Sequence, residues 1–154
     1  MANPVPRVID ALVETRQRVA EGAPYQWTHQ GACNCGHLAQ TLTLLSAADL
    51  HAYALEKSGD WSEHMREHCS SSGYPIDLVI QIMLDAGFTA RDLARLETLS
   101  DPQILARIPA HLKPLQKNRR DDLLHYLDAW IGLLKAQIEP EQIESNRIAA
   151  LLCT

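Results

Sequence analysis

Asn118-Arg119-Arg120-Asp121-Asp122-Leu123-Leu124-His125-Tyr126-Leu127-Asp128-Ala129-Trp130-Ile131-Gly132-Leu133-Leu134-Lys135-Ala136-Gln137-Ile138 is the stretch on which the fold turns. Leu123, Leu124, Leu127, Trp130, Ile131, Leu134 and Ile138 recur three and four residues apart, so a helix here carries one continuous apolar face, with Asn118 placed to cap its start. A helix of this length is expected to be the central strut. Pro140 is expected to break it, because proline lacks an N–H and crowds the preceding turn. The remainder, 141–154, is then expected to add a turn or two that docks Ile143, Ile148, Leu151 and Leu152 onto the body.

Upstream, the same periodicity repeats in shorter runs. Val8, Ile9, Leu12, Val13, Val19 and Ala20 predict a helix over 6–21, stopped by Gly22; Leu38, Leu42 and Leu45 predict a second over 36–45. Ser46 and Asp49 resemble a capping box before Leu50, Tyr53, Ala54 and Leu55, a third helix that ends near Ser58-Gly59. Asp60 or Ser62 starts a short helix expected to reach Cys69, and 70–74 reads as a loop. Pro75 opens a helix with the stripe Ile76, Val79, Ile80, Met83 and Leu84, Gly87 ends it, Thr89 caps another through Leu99, and Ser100-Asp101-Pro102 begins one through Ile108. Residues 109–114 form the connector to the strut.

The composition agrees. Aromatic residues are 5% with a single Phe, and a core of Leu, Ile, Ala and Val with few consecutive β-branched residues suits helices better than a pleated sheet. The expectation is an all-α chain: a compact orthogonal bundle of six to eight mostly short helices with one long C-terminal helix, a single helical domain over 1–154. The formal net charge of −5 gives no field for nucleic acid or an anionic membrane, and the short run Lys117, Arg119, Arg120 is followed at once by Asp121 and Asp122. No apolar run is long enough to span a bilayer and the N-terminus has no secretory pattern, so the expected location is cytoplasmic, with Cys33, Cys35, Cys69 and Cys153 as thiols, ligands or redox groups.

Function is sought where chemistry-bearing residues cluster. Trp27-Thr28-His29-Gln30-Gly31-Ala32-Cys33-Asn34-Cys35-Gly36-His37 is followed about thirty residues on by Glu63-His64-Met65-Arg66-Glu67-His68-Cys69, and five of the seven histidines lie within 1–69. His64 and His68, four apart on an expected helix, leave it on one face, and a loop can turn the Cys33 and Cys35 thiolates toward one point. With His37 and Cys69 these six form a candidate zinc or iron site, closed with four protein ligands or open with three. The Cys-x-Cys spacing is shorter than that of common zinc modules, and His64–His68 lacks the His-Glu-x-x-His order of zinc peptidases.

Two other readings use overlapping residues. Cys35 at the start of the second helix, where the dipole favours a thiolate, is a candidate nucleophile with His29, His64 or His68 as base; Cys33 or Cys35 paired with Cys69 makes a thiol switch. A third needs no metal: the short helices of 74–108 form a surface for a protein partner, since Arg91, Arg95 and Arg107 are balanced by Asp85, Asp92, Glu97 and Asp101 and leave no basic footprint for nucleic acid. Trp27, Trp61, Tyr25 and Tyr74 flank the cluster, where large aromatics serve as core plugs or pocket walls.

Overall fold

The strut forms, and it is longer than its apolar stripe. The computed structural model describes residues 1–153 and, within them, every side chain but those at positions 140 and 141. Eight α-helices follow one another without a strand among the described residues: α1 Pro6–Ala20, α2 Asn34–Thr43, α3 Ala47–Leu55, α4 Trp61–Arg66, α5 Pro75–Asp85, α6 Ala90–Thr98, α7 Pro102–Leu105 and α8 Arg120–Leu152, with a single 3₁₀ turn at Ala110–Leu112 in the connector. None of the described helices is long and apolar enough to cross a membrane.

The core lies where α1 crosses the first half of α8. Val8, Leu12 and Val19 of α1 are fully buried, as are Leu123, Leu127, Trp130 and Leu134 of α8, each such side chain contributing about 1.5–3 kcal/mol by leaving water. Trp130 meets Phe88 and Tyr126 edge-on at centroid distances of 5.7 and 6.1 Å, the arrangement in which a positive ring edge faces a negative ring face. Outside this seam the Arg16 guanidinium grips Asp128 with two hydrogen bonds of 2.9 and 3.2 Å.

Several element ends differ from the sequence reading, each for a local reason. The second helix begins two residues earlier, because Cys33 accepts the Gly36 N–H and serves as N-cap; it stops at Thr43, because Leu44 turns left-handed at φ 61° and returns its N–H to Gln40. The short helix after Asp60 ends at Arg66 and never reaches Cys69. The helix opened by Pro102 stops at Leu105. Arg119 rather than Asn118 precedes the first residue of α8, and its side chain makes no capping bond.

The break expected at Pro140 does not occur: α8 runs on to Leu152 as one helix of 33 residues, about 50 Å long. A proline withholds one N–H from the carbonyl four residues back, and here that residue is the exposed Ala136, whose carbonyl water can serve. Nor does the distal segment dock. Ile143, Ile148, Leu151 and Leu152 are all exposed, because the continuous helix carries them past the end of the bundle; Thr154 lies outside the described residues.

Candidate functional site

The cysteine-rich segment forms the first turn of α2 and is pressed into the interior by backbone close approach. A side chain on Gly31 would have its Cβ 1.8 Å from the Ala47 carbonyl oxygen, and one on Gly36 would lie 2.5 Å from the Gly31 carbonyl carbon, so only glycine lets these chains touch. Between them Cys33, Asn34 and Cys35 are buried.

Asn34 is the tie. Its amide nitrogen donates to the carbonyls of Leu96 (3.2 Å), Glu97 (2.9 Å) and Lys117 (3.0 Å), and its oxygen accepts the Tyr25 hydroxyl at 2.7 Å. The end of α6 and the connector before α8 are thus fastened to α2 through one amide. Glu97 completes the joint: its carboxylate accepts the Cys35 N–H at 3.0 Å, while its backbone carbonyl also takes the Trp27 indole N–H at 3.3 Å. Burial pushes the Glu97 carboxyl up toward its neutral form, and hydrogen bonds from Cys35 and Cys33 work against that.

The six residues expected to hold zinc or iron are not brought together. Among the described residues no three His, Cys, Asp or Glu side chains are grouped to hold a metal ion, which overturns the metal-site reading. Cys35 donates to the Leu93 carbonyl at 3.0 Å, and Cys33 lies 3.6 Å from the Gln30 carbonyl. His37 is anchored through Nε2 to the Pro24 carbonyl at 2.9 Å; burial lowers its pKa to about 4, so the ring is neutral. His64 is wholly buried on α4, where burial and then the Lys57 ammonium disfavour its charged form.

His68 lies beyond the end of α4 and so does not share a helix face with His64. It turns to α5, with Nε2 3.0 Å from the Gln81 amide oxygen and Nδ1 3.4 Å from Asp77. There Asp77 is buried, which alone would raise its pKa, but hydrogen bonds from Ser72, Lys57 and His68 hold it below the ordinary carboxylate range. Cys69 is exposed, its thiol 3.4 Å from the Ser71 hydroxyl.

The thiol readings fail on the same geometry. Cys35 does sit in the first turn of α2, but burial and then the Glu97 charge push its pKa well above the usual thiol value, outweighing the helix dipole. The switch pair is split, with Cys33 and Cys35 in the interior and Cys69 at the surface. A chromogenic disulfide reagent is accordingly expected to titrate two thiols at once in the native protein, Cys69 and Cys153, and the other two only after unfolding. Cys69 reacts first, because the Ser71 hydrogen bonds lower its pKa. A third fast thiol in the native state would contradict the burial of the Cys33-Asn34-Cys35 turn.

What the segment does build is a cleft of about 280 Å³ above Glu97, walled by Trp27 and Trp61 and lined by Thr28, Gln30 and Asp60. Trp61 donates its indole N–H to the Gln30 carbonyl at 2.9 Å, so both indole N–H groups are spent on backbone carbonyls. The exposed Lys117 ammonium rides over the Trp27 ring, 4.7 Å from its centroid. Sequence reasoning weighed the two tryptophans as walls or plugs but missed Glu97, Asp60 and Gln30. One signal for Glu97 was readable: it falls four residues after Leu93 on the buried face of α6, where a solvated charge has no place.

No family model, no curated protein and no solved structure matches this chain.

Proposed function

We propose that the protein binds a small organic cation, of the alkylammonium class, in the Trp27–Trp61 cleft. The supporting observation is the lining. Two indole rings have their N–H groups engaged elsewhere, the polar groups beside them are the Asp60 and Glu97 carboxyls, the Gln30 amide and the Thr28 hydroxyl, and no basic side chain takes part. Aromatic faces attract cations through the ring quadrupole, by about 0.5–1 kcal/mol at exposed sites and about 2 kcal/mol when water is excluded. The chain already places one cation this way, the Lys117 ammonium on Trp27.

One such contact, on the partly exposed Trp27 ring, and one carboxylate amount to roughly 2.7 kcal/mol, a dissociation constant of about 10 mM for a minimal ligand, with the buried Trp61 serving as the floor of the cleft. The test is a tryptophan-fluorescence and proton-NMR titration with choline, against its uncharged isostere 3,3-dimethylbutan-1-ol. Saturable binding of choline is expected, at least about tenfold tighter than the isostere, which is the 1.4 kcal/mol a single lost charge contact represents. Asp60→Asn and Trp27→Leu should each weaken it several-fold. Equal affinity for the two probes, or no saturation by choline, would remove the cation reading.

A further inference from the structure

The loop that carries Trp27, Thr28 and Gln30, half of the cleft lining, is held by two histidines that take no part in the cleft itself. Gln26 closes it by donating its N–H to the Ala32 carbonyl, and inside the turn His29 donates to Gln26 and Ala32 to His29. The next two N–H groups point to imidazoles: Gln30 donates to Nδ1 of His51 at 3.0 Å and Gly31 to Nδ1 of His29 at 3.2 Å. The two rings stack at 4.1 Å, 20° from parallel.

Each imidazole therefore acts as an acceptor at Nδ1 and carries its proton on Nε2. A proton added at either Nδ1 converts the acceptor into a donor that faces a backbone N–H, and sets a positive charge against the other ring. We infer that the stacked His29–His51 pair is a latch on the cleft, closed while both rings are neutral and released when acid protonates them. This inference rests on the cleft being the ligand site. Burial and then His51 hold the His29 pKa below its ordinary value. Besides His51, the titratable groups on the neighbouring helices are Cys35 and His37 of α2, Asp49 and Tyr53 of α3, Glu63, His64 and Arg66 of α4 with its cap Asp60, and Arg91, Asp92, Arg95 and Glu97 of α6; the charge that lowers the His29 pKa is that of His51.

A lowered folded-state pKa fixes the sign. The neutral His29 ring favours the closed loop fully above the unfolded value of about 6.5, and that contribution is lost as the pH falls below it, through the lowered folded-state value. Release returns Gln30 and Gly31 to water, and with them the wall beside Trp61, whose indole N–H is held by the Gln30 carbonyl.

The test follows the Gln30 and Gly31 amides by ¹⁵N–¹H NMR from pH 7.5 to 5 without ligand, with the Leu127 amide of α8 as reference, in the wild type and in His29→Asn/His51→Asn, whose amide oxygens keep an acceptor near each Nδ1 but do not titrate. Both amides should shift together in the wild type and stay still in the double variant. Long-range imidazole ¹⁵N spectra of the wild type at pH 7.5 should show both rings protonated at Nε2, a readout that needs no variant. An Nδ1–H ring at neutral pH, amides that do not move down to pH 5, or an identical titration in a folded double variant would overturn the latch. Choline affinity measured alongside should fall at least about tenfold over the same range in the wild type. If choline binds at no pH, the cleft reading alone fails, and the amide and tautomer data still decide whether the loop is latched.

Discussion

Gly31→Ala is expected to destabilise the protein by at least about 3 kcal/mol, more than a single added methyl costs in most cores, where overpacking amounts to about 1–3 kcal/mol. The reason is what the methyl would meet. At Gly31 the nearest atoms are the carbonyl oxygen, carbonyl carbon and Cα of Ala47, at 1.8, 2.5 and 2.7 Å, all backbone of the first turn of α3. A flexible side chain can rotate away from an intruder; a helix turn must translate as a whole. That shift would pull Ser46 from its bond to the Asp49 N–H and move His51, four residues on, away from the Gln30 N–H. Gly36→Ala should behave alike, since its Cβ would lie 2.6 Å from the Gln30 carbonyl oxygen, the acceptor of the Trp61 indole. Denaturant unfolding with far-ultraviolet dichroism measures both, and a loss under about 1 kcal/mol at either position would show that α2 and α3 do not touch the loop as closely as drawn.

Asn34→Asp is expected to cost about 4 kcal/mol at pH 7, more than Asn34→Ala at about 2–3 kcal/mol. The native amide donates to three carbonyls in a site with no solvent exposure, and the aspartate is isosteric but has no N–H to give. Its carboxylate would face three carbonyl oxygens with the Glu97 carboxyl close by, bonded to the next residue's N–H. Alanine leaves the same carbonyls unpaired without adding a buried charge. The pH dependence separates the cases. The introduced carboxyl has its folded-state pKa raised, so the unfolded state binds fewer protons than the folded one, and the deficit against wild type shrinks as the pH falls toward 5. The alanine variant's deficit carries no such slope. Urea midpoints at pH 7 and 5.5 for the three proteins decide it; an aspartate variant as stable as wild type at pH 7 would mean that the Asn34 amide does not carry the α2–α6–connector joint.

Most of the fold was legible because helical periodicity and end signals are local. Ser46 and Thr89 do cap α3 and α6, Asp60 caps α4, and Pro6, Pro75 and Pro102 each open a helix. The errors lie at ends where a local signal is absent or is overridden. Leu44 takes a left-handed conformation that leucine disfavours, and α8 passes a proline at a point where the residue four back, Ala136, is exposed and its carbonyl can turn to water. The candidate site was legible as a neighbourhood and misread as chemistry. The segment 27–37 carries one wall of the cleft, Trp27, and one ring of the latch, His29, but its thiols Cys33 and Cys35 are packing groups, while Trp61, Glu97, Asp60 and His51 belong to helices and turns separated from it in the chain. His64 and His68 were linked by a spacing that holds only inside a helix, and α4 ends between them.

The sequence by itself determined the helices, because hydrogen bonding within a helix and the three-to-four spacing of its apolar face are properties of neighbours along the chain. Only the tertiary structure decided which polar groups meet. Burial turned Cys33 and Cys35 into interior hydrogen-bonding groups, two glycines let α2, α3 and the 26–32 loop close on one another, and Asn34 tied α6 and the connector to them. Hydrogen bonds and charge interactions act over a few ångströms, and side chains come that close across helices only after the apolar faces have chosen their partners.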